Sequence, residues 1–282
     1  MAGSLYVVST PIGNLDDITV RALNTLKSVG LVAAEDTRRT GLLLRHFGIA
    51  TPTTSLHEHN ETVKLPTLLR QLADGIDIAL VSDAGTPLVA DPGQRLIARA
   101  IDQGIRIIPI PGASAVLAAL TVSGYPADEF VFAGFAPSRS KDRKQWLESL
   151  AEESRTVVFF EAPHRIVGTL SQMSDILVER PITVGRELTK LHEEVIHTTA
   201  RKAMELAIRE QGEFTVVLAP YLRHSEQATI VDDEEIGIYF GRMTESGAVS
   251  RRAALLATAK KFGLSPNDVY DRLERLKTPG AP

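Results

Sequence analysis

The sequence predicts an α/β protein, and three observations support that fold class. Strand-like and helix-like segments alternate regularly over residues 1–122, as they do in a mostly parallel sheet covered by helices. Ile78–Val81 is an uninterrupted apolar run, which is typical of a strand buried on both faces. Residues 82–93 then form a loop rich in glycine, proline and carboxylates, at the edge where open parallel sheets bind ligands. We therefore place the candidate site at this loop; a plain connector to a helix at 94–103 is the alternative.

Length and a break in the pattern predict the domain organisation, and the net charge bears on nucleic-acid binding. A chain of 282 residues predicts two domains and leaves room for a shorter third segment. The break at residues 123–126 gives predicted domains at 1–122 and 126–224, with a linker and helical extension at 225–282. The net charge of -4 argues mildly against a protein that coats nucleic acid, although local basic patches can still bind it.

Cysteine usage and hydropathy narrow the class of protein further. The sequence contains no cysteine, which excludes disulfides, thiolate zinc sites and a cysteine nucleophile. No apolar run approaches the roughly 20 residues needed to cross a bilayer, and the first residues lack the basic region and apolar core of an export signal. We therefore expect a cytoplasmic protein that does not associate with membranes.

The first strand of the chain is predicted at residues 4–9, and a helix follows at 19–29. The loop between them lacks the glycine spacing that binds dinucleotides and the spacing that binds nucleoside triphosphates. A second strand is predicted at 31–34. Its polar end either lines a site or caps the next helix at Asp36 or Thr37.

Residues 54–61 are unusual because two histidines, a glutamate and an asparagine occur close together. His57 and His59 share a face if the segment is extended, so metal binding must be considered, but neither the HExxH spacing nor a third ligand is in view. A polar loop that faces a substrate is favoured over metal binding, and a solvated loop is the third possibility. Helical periodicity returns at residues 64–72.

The last corner of the first half joins a strand at 105–110 to an apolar helix at 116–122. The small residues at 111–115 between them let a ligand approach the backbone, and the helix N-terminus offers free N–H groups. Tight packing of helix against strand is the alternative explanation.

The second half repeats the pattern of charged strand ends. Charged groups follow two strands, at residues 161–165 and 186–190, and the basic segment 138–144 suits either phosphates or a solvated helix start. Because such strand ends recur in both halves, we expect one cleft between two α/β domains. The strands are predicted at 130–135, 156–160, 182–185 and 212–218.

The tail differs from both halves. Residues 227–235 are acidic and polar, which indicates a linker, and 251–262 carries apolar positions at helical spacing. Gly263 turns the chain, and a second helix starts with Ser265 as its N-cap and Pro266 in its first turn. This pair is similar to a helix-turn-helix, although two packed helices without a role in nucleic-acid binding would show the same pattern.

Eight loop motifs, in order along nearly the whole chain, carry a family resemblance: STPIGN (9–14), AEDTR (34–38), SLHEHN (55–60), SDAGTP (82–87), PGAS (111–114), FEAPHR (160–165), RELTK (186–190) and GEF (212–214). They resemble the bacterial ribosomal RNA small subunit methyltransferase I family, within the tetrapyrrole methylase superfamily. The resemblance implies two α/β domains of tetrapyrrole methylase type with the cofactor in the cleft between them, a short C-terminal helical extension, and usually a homodimer.

The activity that this resemblance implies is 2′-O-methylation of a cytidine ribose in the decoding region of 16S rRNA, with S-adenosylmethionine as cofactor and the small ribosomal subunit as the expected partner. The first loop and the 84–86 segment depart from the glycine-rich and Gly-Asp-Pro sequences of many small-molecule members. The cofactor contacts implied by position are Pro11, Asp83, Ala84, Gly85, Thr86, Leu88, Ser114, Ala115, Ala162, Leu188, Glu213, Phe214 and Thr215.

Methyl transfer to a hydroxyl requires an oriented acceptor and a group that removes the proton. We expect Asp83 or its neighbours to seat the cofactor, and Glu58, His57 or Lys190 to act as the base, with no metal. Lys190 is also a candidate to hold RNA phosphates. The other candidate contacts to RNA are Arg38, Asn60, Arg139, Lys141, Arg143, His164, Arg165 and Arg186.

Two other classes of function stay open. A methylase that acts on a tetrapyrrole-like small molecule shares the fold, but it would not need the helical tail or the loop at 57–60. A regulator that only binds nucleic acid would explain the tail, yet it leaves the strand-end loops unexplained and fits the net charge poorly.

Overall fold

The computed structural model describes residues 2–206, 209–221, 233–245, 250–262, 264 and 266–277. The chain forms two compact units, residues 1–220 and residues 221–282. The finer division of the first unit at residues 123–126 stays a prediction. Within the described residues, no helix is both long and apolar enough to span a membrane.

The first sheet is entirely parallel, with strand order β3-β2-β4-β1-β5. The carboxyl ends of all five strands therefore lie at one edge, which is where ligands bind in open parallel sheets. The strands are β1 (Ser4–Val8), β2 (Leu31–Ala34), β3 (Thr53–Ser55), β4 (Ile78–Val81) and β5 (Arg106–Ile110). The helices that alternate with them are α1 (Val20–Ser28), α2 (Thr37–His46), α3 (Glu61–Ala73), α4 (Gln94–Asp102) and α5 (Ala115–Ser123).

The central strand β4 shows why the sheet is covered on both faces. Ile78 and Leu80 lie in one buried apolar cluster, whereas Ala79 and Val81 lie in another. Successive side chains of a strand point to opposite faces, so a run of four apolar residues requires a core on each side. The prediction of a strand buried on both faces is confirmed.

The second sheet is mixed, with strand order β6-β7-β10-β8-β9 and one parallel pair, β6 with β7. Because β10 runs against its neighbours, its first residue, Phe214, pairs with the last residues of two strands, Glu161 and Arg186. The strands are β6 (Phe130–Phe135), β7 (Thr156–Glu161), β8 (Pro181–Arg186), β9 (Glu194–Thr199) and β10 (Phe214–Leu218), and the helices are α6 (Ser140–Leu150), α7 (Ile166–Ile176) and α8 (Ala200–Ala203).

Several predictions about the local structure are now decided. Asp36 is the N-cap of α2, and its carboxylate accepts the Arg38 N–H at 2.8 Å. The basic segment is a helix start, because α6 begins at Ser140, and its binding of phosphates stays a prediction. Strand β9 and helix α7 were not predicted at all. The α/β fold class itself is confirmed.

The described residues of the second unit form three helices, α9 (Asp233–Glu245), α10 (Arg251–Phe262) and α11 (Pro266–Lys277), and each packs against the other two. Their buried core includes Ile236, Ala259, Val269 and Leu273. Two helices were predicted correctly, but the first turn of α9 occupies the end of the predicted linker. The rest of that linker, residues 227–232, and the expected turn and cap residues Gly263 and Ser265 lie outside the described residues.

Candidate active site

A cavity of about 350 Å³ lies within the first unit, and its walls come from the edges of both sheets. We call it the first cavity. Loops after the parallel strands form one wall, and residues at the ends of β6 and β7 and the start of β10 form the other. Its lining comprises Ile12, Glu35, Arg39, Asp83, Ala84, Gly85, Thr86, Val89, Ala90, Asp91, Ser114, Ala115, Val116, Phe135, Phe160, Glu161, Ala162, Pro163, Glu213, Phe214 and Thr215.

The loop after β4 is tied to the loop after β1 by two backbone hydrogen bonds. Thr10 and Gly85 exchange N–H donors and carbonyl acceptors at 2.8 and 3.0 Å. Gly85 has a φ of +78°, and a Cβ there would lie 3.3 Å from the Ile12 side chain, so the position favours glycine. Leu88 and Ala90 also have positive φ values, 74° and 67°. Left-handed residues other than glycine store strain and cluster at functional loops, which agrees with a binding role for this loop.

Three carboxylates, those of Glu35, Asp83 and Asp91, line the first wall. The backbone N–H of Asp36 donates to Asp83 at 3.0 Å, and that of Asp83 donates to Glu35 at 3.4 Å. Asp83 also forms an ion pair with Arg39 at 3.4 Å. Together these contacts hold the ends of β2 and β4 side by side, with their acidic groups at the cavity.

The environment of two of these carboxylates, Glu35 and Asp91, opposes their ionisation. Burial raises the pKa of Glu35. Burial also raises the pKa of Asp91 to about 6; a hydrogen bond with Ser82 lowers it in part, and the nearby Glu35 and Asp83 raise it further. A positively charged ligand in this cavity would therefore relieve the repulsion between the carboxylates.

The opposite wall is aromatic, and its buried carboxylate is paired with an arginine of the protein. Phe135 and Phe160 meet edge to face with ring centroids 5.3 Å apart. Beside them, the fully buried carboxylate of Glu161 pairs with Arg165 at 2.7 Å and accepts hydrogen bonds from the Thr169 hydroxyl and the Ala162 N–H. Glu161 therefore fixes the backbone at Ala162, while its own charge is balanced within the protein.

The loop after β8, next to this wall, carries Lys190. Its ammonium group contacts Glu187 at 2.8 Å and Glu213 at 3.1 Å. Burial lowers the pKa of Lys190, but the hydrogen bonds to both carboxylates outweigh burial, so the net shift is upward and the group stays protonated. The Thr189 hydroxyl accepts the N–H of Asn14 at 3.2 Å, and a Cβ at Gly13 would overlap the Lys190 side chain. This loop therefore packs directly on the loop after β1.

A second cavity, of about 460 Å³, adjoins the first. The two cavities share wall residues, namely Ile12, Arg39, Asp83, Ala84 and Glu213. The remaining lining of the second cavity comes from the loop after β1, from α2, from Ser82 and from Lys190: Thr10, Pro11, Gly13, Leu15, Thr40, Leu42, Leu43, His46, Ser82 and Lys190.

The structure brings most of the predicted cofactor contacts together. Pro11 lines the second cavity, Leu188 is buried in a cluster with Ile12, and Leu88 is partly exposed on the loop after β4. The predicted contacts that line the first cavity are Asp83, Ala84, Gly85, Thr86, Ser114, Ala115, Ala162, Glu213, Phe214 and Thr215.

The candidate bases lie in two places. Lys190 lines the second cavity, whereas His57 and Glu58 lie in the loop after β3, outside the lining of both cavities. In that loop the Asn60 amide oxygen accepts the His57 N–H at 2.9 Å, so Asn60 closes the turn. The described residues contain no group of three histidine or carboxylate side chains arranged to hold a metal ion.

The candidate RNA contacts divide by exposure. Arg143 and Arg186 are buried, and each donates from Nε to a protein oxygen, Gln172 Oε1 at 2.7 Å and Gln211 O at 2.8 Å respectively. Arg165 is mostly buried in its pair with Glu161. These three guanidinium groups are therefore engaged by partners within the protein. The exposed candidates are Arg38, Arg139, Lys141 and His164.

Sequence reasoning missed several residues of the first cavity. Asp91 belongs to the loop that we singled out, but alternation and composition do not show which of its carboxylates turns inward. Arg39 was passed over for its neighbour Arg38, whose side chain is 89% exposed. Phe135 and Phe160 read as ordinary strand residues. Only the pairing of β6 with β7 could have indicated that both rings meet at this edge.

Comparison with known proteins gives consistent results. Residues 4–204 match the family model for tetrapyrrole (corrin/porphyrin) methylases. A relative from Vibrio cholerae serotype O1 is 47% identical over 94% of this chain and 92% of its own length, and one from Mesorhizobium japonicum is 44% identical over 97% and 92%. Both bear the name ribosomal RNA small subunit methyltransferase I. A crystal structure of diphthine synthase is 17% identical over 78% of this chain and 92% of its own, with a TM-score of 0.62, which shows similarity of fold.

Proposed function

This chain belongs to the tetrapyrrole methylase family, and within it to the ribosomal RNA small subunit methyltransferase I enzymes, and on that premise we propose that it methylates the ribose 2′-oxygen of a decoding-region cytidine in 16S rRNA. The cofactor is S-adenosylmethionine. The shared name of the relatives supports RNA of the small ribosomal subunit as the substrate class. The ribose oxygen and the cytidine are the finer part of the proposal.

The observation that carries the proposal is the acidic and aromatic lining of the first cavity. S-adenosylmethionine is a cation at its sulfur and carries an ammonium, a carboxylate and an adenine ring. Carboxylates with raised pKa values favour a cation, the two phenylalanines offer apolar faces, and the first turn of α5 offers N–H groups to an anion. The residues that would hold the cofactor are Asp83, Ala84, Gly85, Thr86, Ser114, Ala115, Ala162, Glu213, Phe214 and Thr215.

The protein contributes mainly position and proton transfer. When bound, S-adenosylmethionine supplies a methyl group and keeps both electrons of the broken S–C bond, so the products are a methyl ether, a neutral thioether and one proton. The protein must therefore hold the hydroxyl against the donor and accept that proton.

We assign the role of proton acceptor to Asp91. A general base works best when its pKa lies near the operating pH, and Asp91 lines the first cavity with a pKa of about 6. Lys190 is protonated, so it suits holding an anionic oxygen better than removing a proton. Glu58 and His57 stay as alternatives, and both would have to reach the site from the loop after β3.

The exposed candidates Arg38, Arg139, Lys141 and His164 are the proposed contacts to RNA phosphates. Each of these side chains is open to solvent, and phosphate contacts orient an RNA without requiring a specific sequence. We also propose a homodimer, which light scattering of the purified protein tests, and a cytoplasmic location, which follows from the substrate.

The deciding experiment is transfer of labelled methyl groups to small ribosomal subunits that lack this modification, with naked 16S rRNA in parallel. Label on the ribose oxygen of one decoding-region cytidine is the expected result. Label on a base, or on another nucleotide, would contradict the finer proposal. No label on either RNA, with cofactor binding intact, would favour a small-molecule acceptor.

A further inference from the structure

Beyond the wall that it shares with the first cavity, the second cavity has no part in holding the cofactor in the proposal above, and its lining combines charge with apolar surface. We propose that it receives a single nucleotide extruded from the RNA, with the ribose toward the wall shared with the first cavity and the base along α2. This inference rests on the proposed function and names the subsite where the acceptor nucleotide binds.

The position of the second cavity fits an acceptor. Arg39, Asp83 and Glu213, together with Ile12 and Ala84, belong to both linings, so the two cavities share a wall. The ion pair of Arg39 with Asp83 lies in that shared wall. An acceptor must reach the donor from a neighbouring space, and the second cavity provides one.

The face of α2 that lines the second cavity is not explained by folding. Arg39, Leu42, Leu43 and His46 follow one another at helical spacing, three, four and seven residues from the first, so they share one face of the helix. The core contact of α2 is made elsewhere, by Leu44. Leu42 nevertheless stays 63% exposed. An apolar side chain that the core does not use is available to a ligand.

The chemistry of this lining suits a nucleotide. The Arg39 guanidinium is 64% exposed and keeps donors for a phosphate beyond its pair with Asp83. Leu42, Leu43 and the His46 ring provide apolar and aromatic surface for a base. His46 also meets Phe47 edge-on at 4.7 Å, which restrains the orientation of its ring.

The size of the cavity and the demands of the substrate agree with this assignment. Enzymes that modify nucleotides within folded nucleic acid extrude the target into a pocket. A volume of about 460 Å³ lies in the range of small-ligand sites. The unpaired nucleotide would expose its ribose hydroxyl at the shared wall, where Asp91 and the methyl donor are proposed to act from the first cavity.

The test uses the full-length protein with a photoreactive benzoylphenylalanine in place of Leu42 or, as the matched control, Arg45. Arg45 is exposed on the same helix but does not line either cavity. After irradiation with unmethylated small subunits, the cross-linked nucleotides are mapped. The position-42 probe should mark the methylated nucleotide or its immediate neighbours, and the position-45 probe should not.

A kinetic comparison supports the cross-linking. We expect His46→Ala to lower kcat/KM for the ribosomal subunit about 10-fold because a stacking partner of the base is lost, with the cofactor Kd unchanged. Arg45→Ala should leave both quantities within about twofold, as surface changes usually do. If the wild type methylates the RNA but both His46→Ala and the position-42 probe give the control result, the subsite is wrong and the proposed function stands. If the wild type methylates no RNA, the proposed function fails and this inference fails with it.

Discussion

The two walls of the first cavity treat charge in opposite ways. On the wall from the first sheet, Glu35 and Asp91 keep raised pKa values at the cavity surface. On the wall from the second sheet, Glu161 is neutralised by Arg165, and Glu213 pairs with Lys190. The carboxylates of the first wall therefore favour a cationic ligand, whereas the ion pairs of the second wall restrain its side chains. Charged side chains at a strand end indicate a candidate site, but only their ion-pair and hydrogen-bond partners show whether they are available to bind a ligand or transfer a proton.

Asp91→Asn is the strongest test of the first wall. Loss of a general base lowers the rate of a proton-transfer step by about 100-fold to 10,000-fold, so single-turnover methyl transfer to small subunits should fall by that amount. Glu35→Gln removes a charge from the same cavity and serves as the control, with a much smaller expected fall. Equal losses in both variants would show that cavity charge, and not proton transfer, sets the rate.

Glu161→Ala tests the second wall, where the expected effect is on stability. Removing one member of a buried ion pair leaves the other charge uncompensated, which costs about 3 kcal/mol in the free energy of unfolding. Denaturant unfolding at pH 7 measures the change. The control is Asp102→Asn, whose pair with Arg99 is 65% exposed on both sides; such surface pairs contribute about 1 kcal/mol or less. Similar losses in both variants would remove the distinction between the walls.

The pH dependence of the reaction sharpens the assignment of Asp91. The proposed base must be ionised, so kcat/KM for the cofactor should fall about tenfold per pH unit below a midpoint near 6, the pKa of Asp91. In Asp91→Asn this limb should be absent. If kcat/KM falls at low pH in Asp91→Asn as it does in the wild type, another group is the general base. The pH profiles of the Glu58 and His57 variants would then identify that group.

The same raised pKa predicts the direction of a stability change. Asp91 binds its proton more tightly in the folded state than in the unfolded chain, so it stabilises the fold only while protonated. That contribution is present below the unfolded pKa and is lost as the pH rises through about 6. Thermal unfolding at pH 8 should therefore give Asp91→Asn a Tm equal to or above that of the wild type. A clear drop in Tm would mean that the ionised carboxylate is needed for packing.

The smallest effect is expected from Arg38, an exposed arginine, and the instructive contrast is with the buried Arg143. Arg38→Ala should weaken RNA binding a few-fold and reduce the salt dependence of affinity, log Kd against log salt concentration, by about one unit. Arg143→Ala should instead lower the Tm because its contact with Gln172 is lost. If only Arg143→Ala changed the salt dependence of RNA affinity, Arg143 and not Arg38 would be the contact to RNA phosphate.

The first sheet could be predicted almost completely because its signals are local. Apolar runs and the polar loops after them locate β1, β2, β4 and β5 to within about two residues, and parallel strands bring those loops to one edge. In the second sheet the same signals locate β6, β7, β8 and β10 to within about two residues, but the mixed strand order and β9 were not predicted. The segment that forms β9 has too few apolar residues to be recognised, and it becomes a strand through pairing with β8.

The candidate site was predicted in outline and missed in detail for a related reason. Its loops follow directly from strand ends, but the partners of its charged groups are distant in sequence. Arg143 meets Gln172 across 29 residues, and Arg186 meets Gln211 across 25. A basic residue whose hydrogen-bond partner is distant in the sequence therefore reads as solvent-exposed and available to RNA. Asp91 escaped notice because its loop includes left-handed backbone at Leu88 and Ala90, which the sequence does not indicate.

The direction of β10 has a consequence for the order of events during synthesis. The first residues of this strand, Phe214 and Thr215, complete a cavity whose opposite wall ends at Val116, about a hundred residues earlier. A growing chain can therefore form the parallel sheet well before it can complete the proposed cofactor site, because chains fold from the N-terminus as they emerge. Stabilisation by ligand arrives only when the last strand is in place. At the proposed site, the cofactor therefore stabilises only a finished chain, and an unfinished chain gains no stability from it.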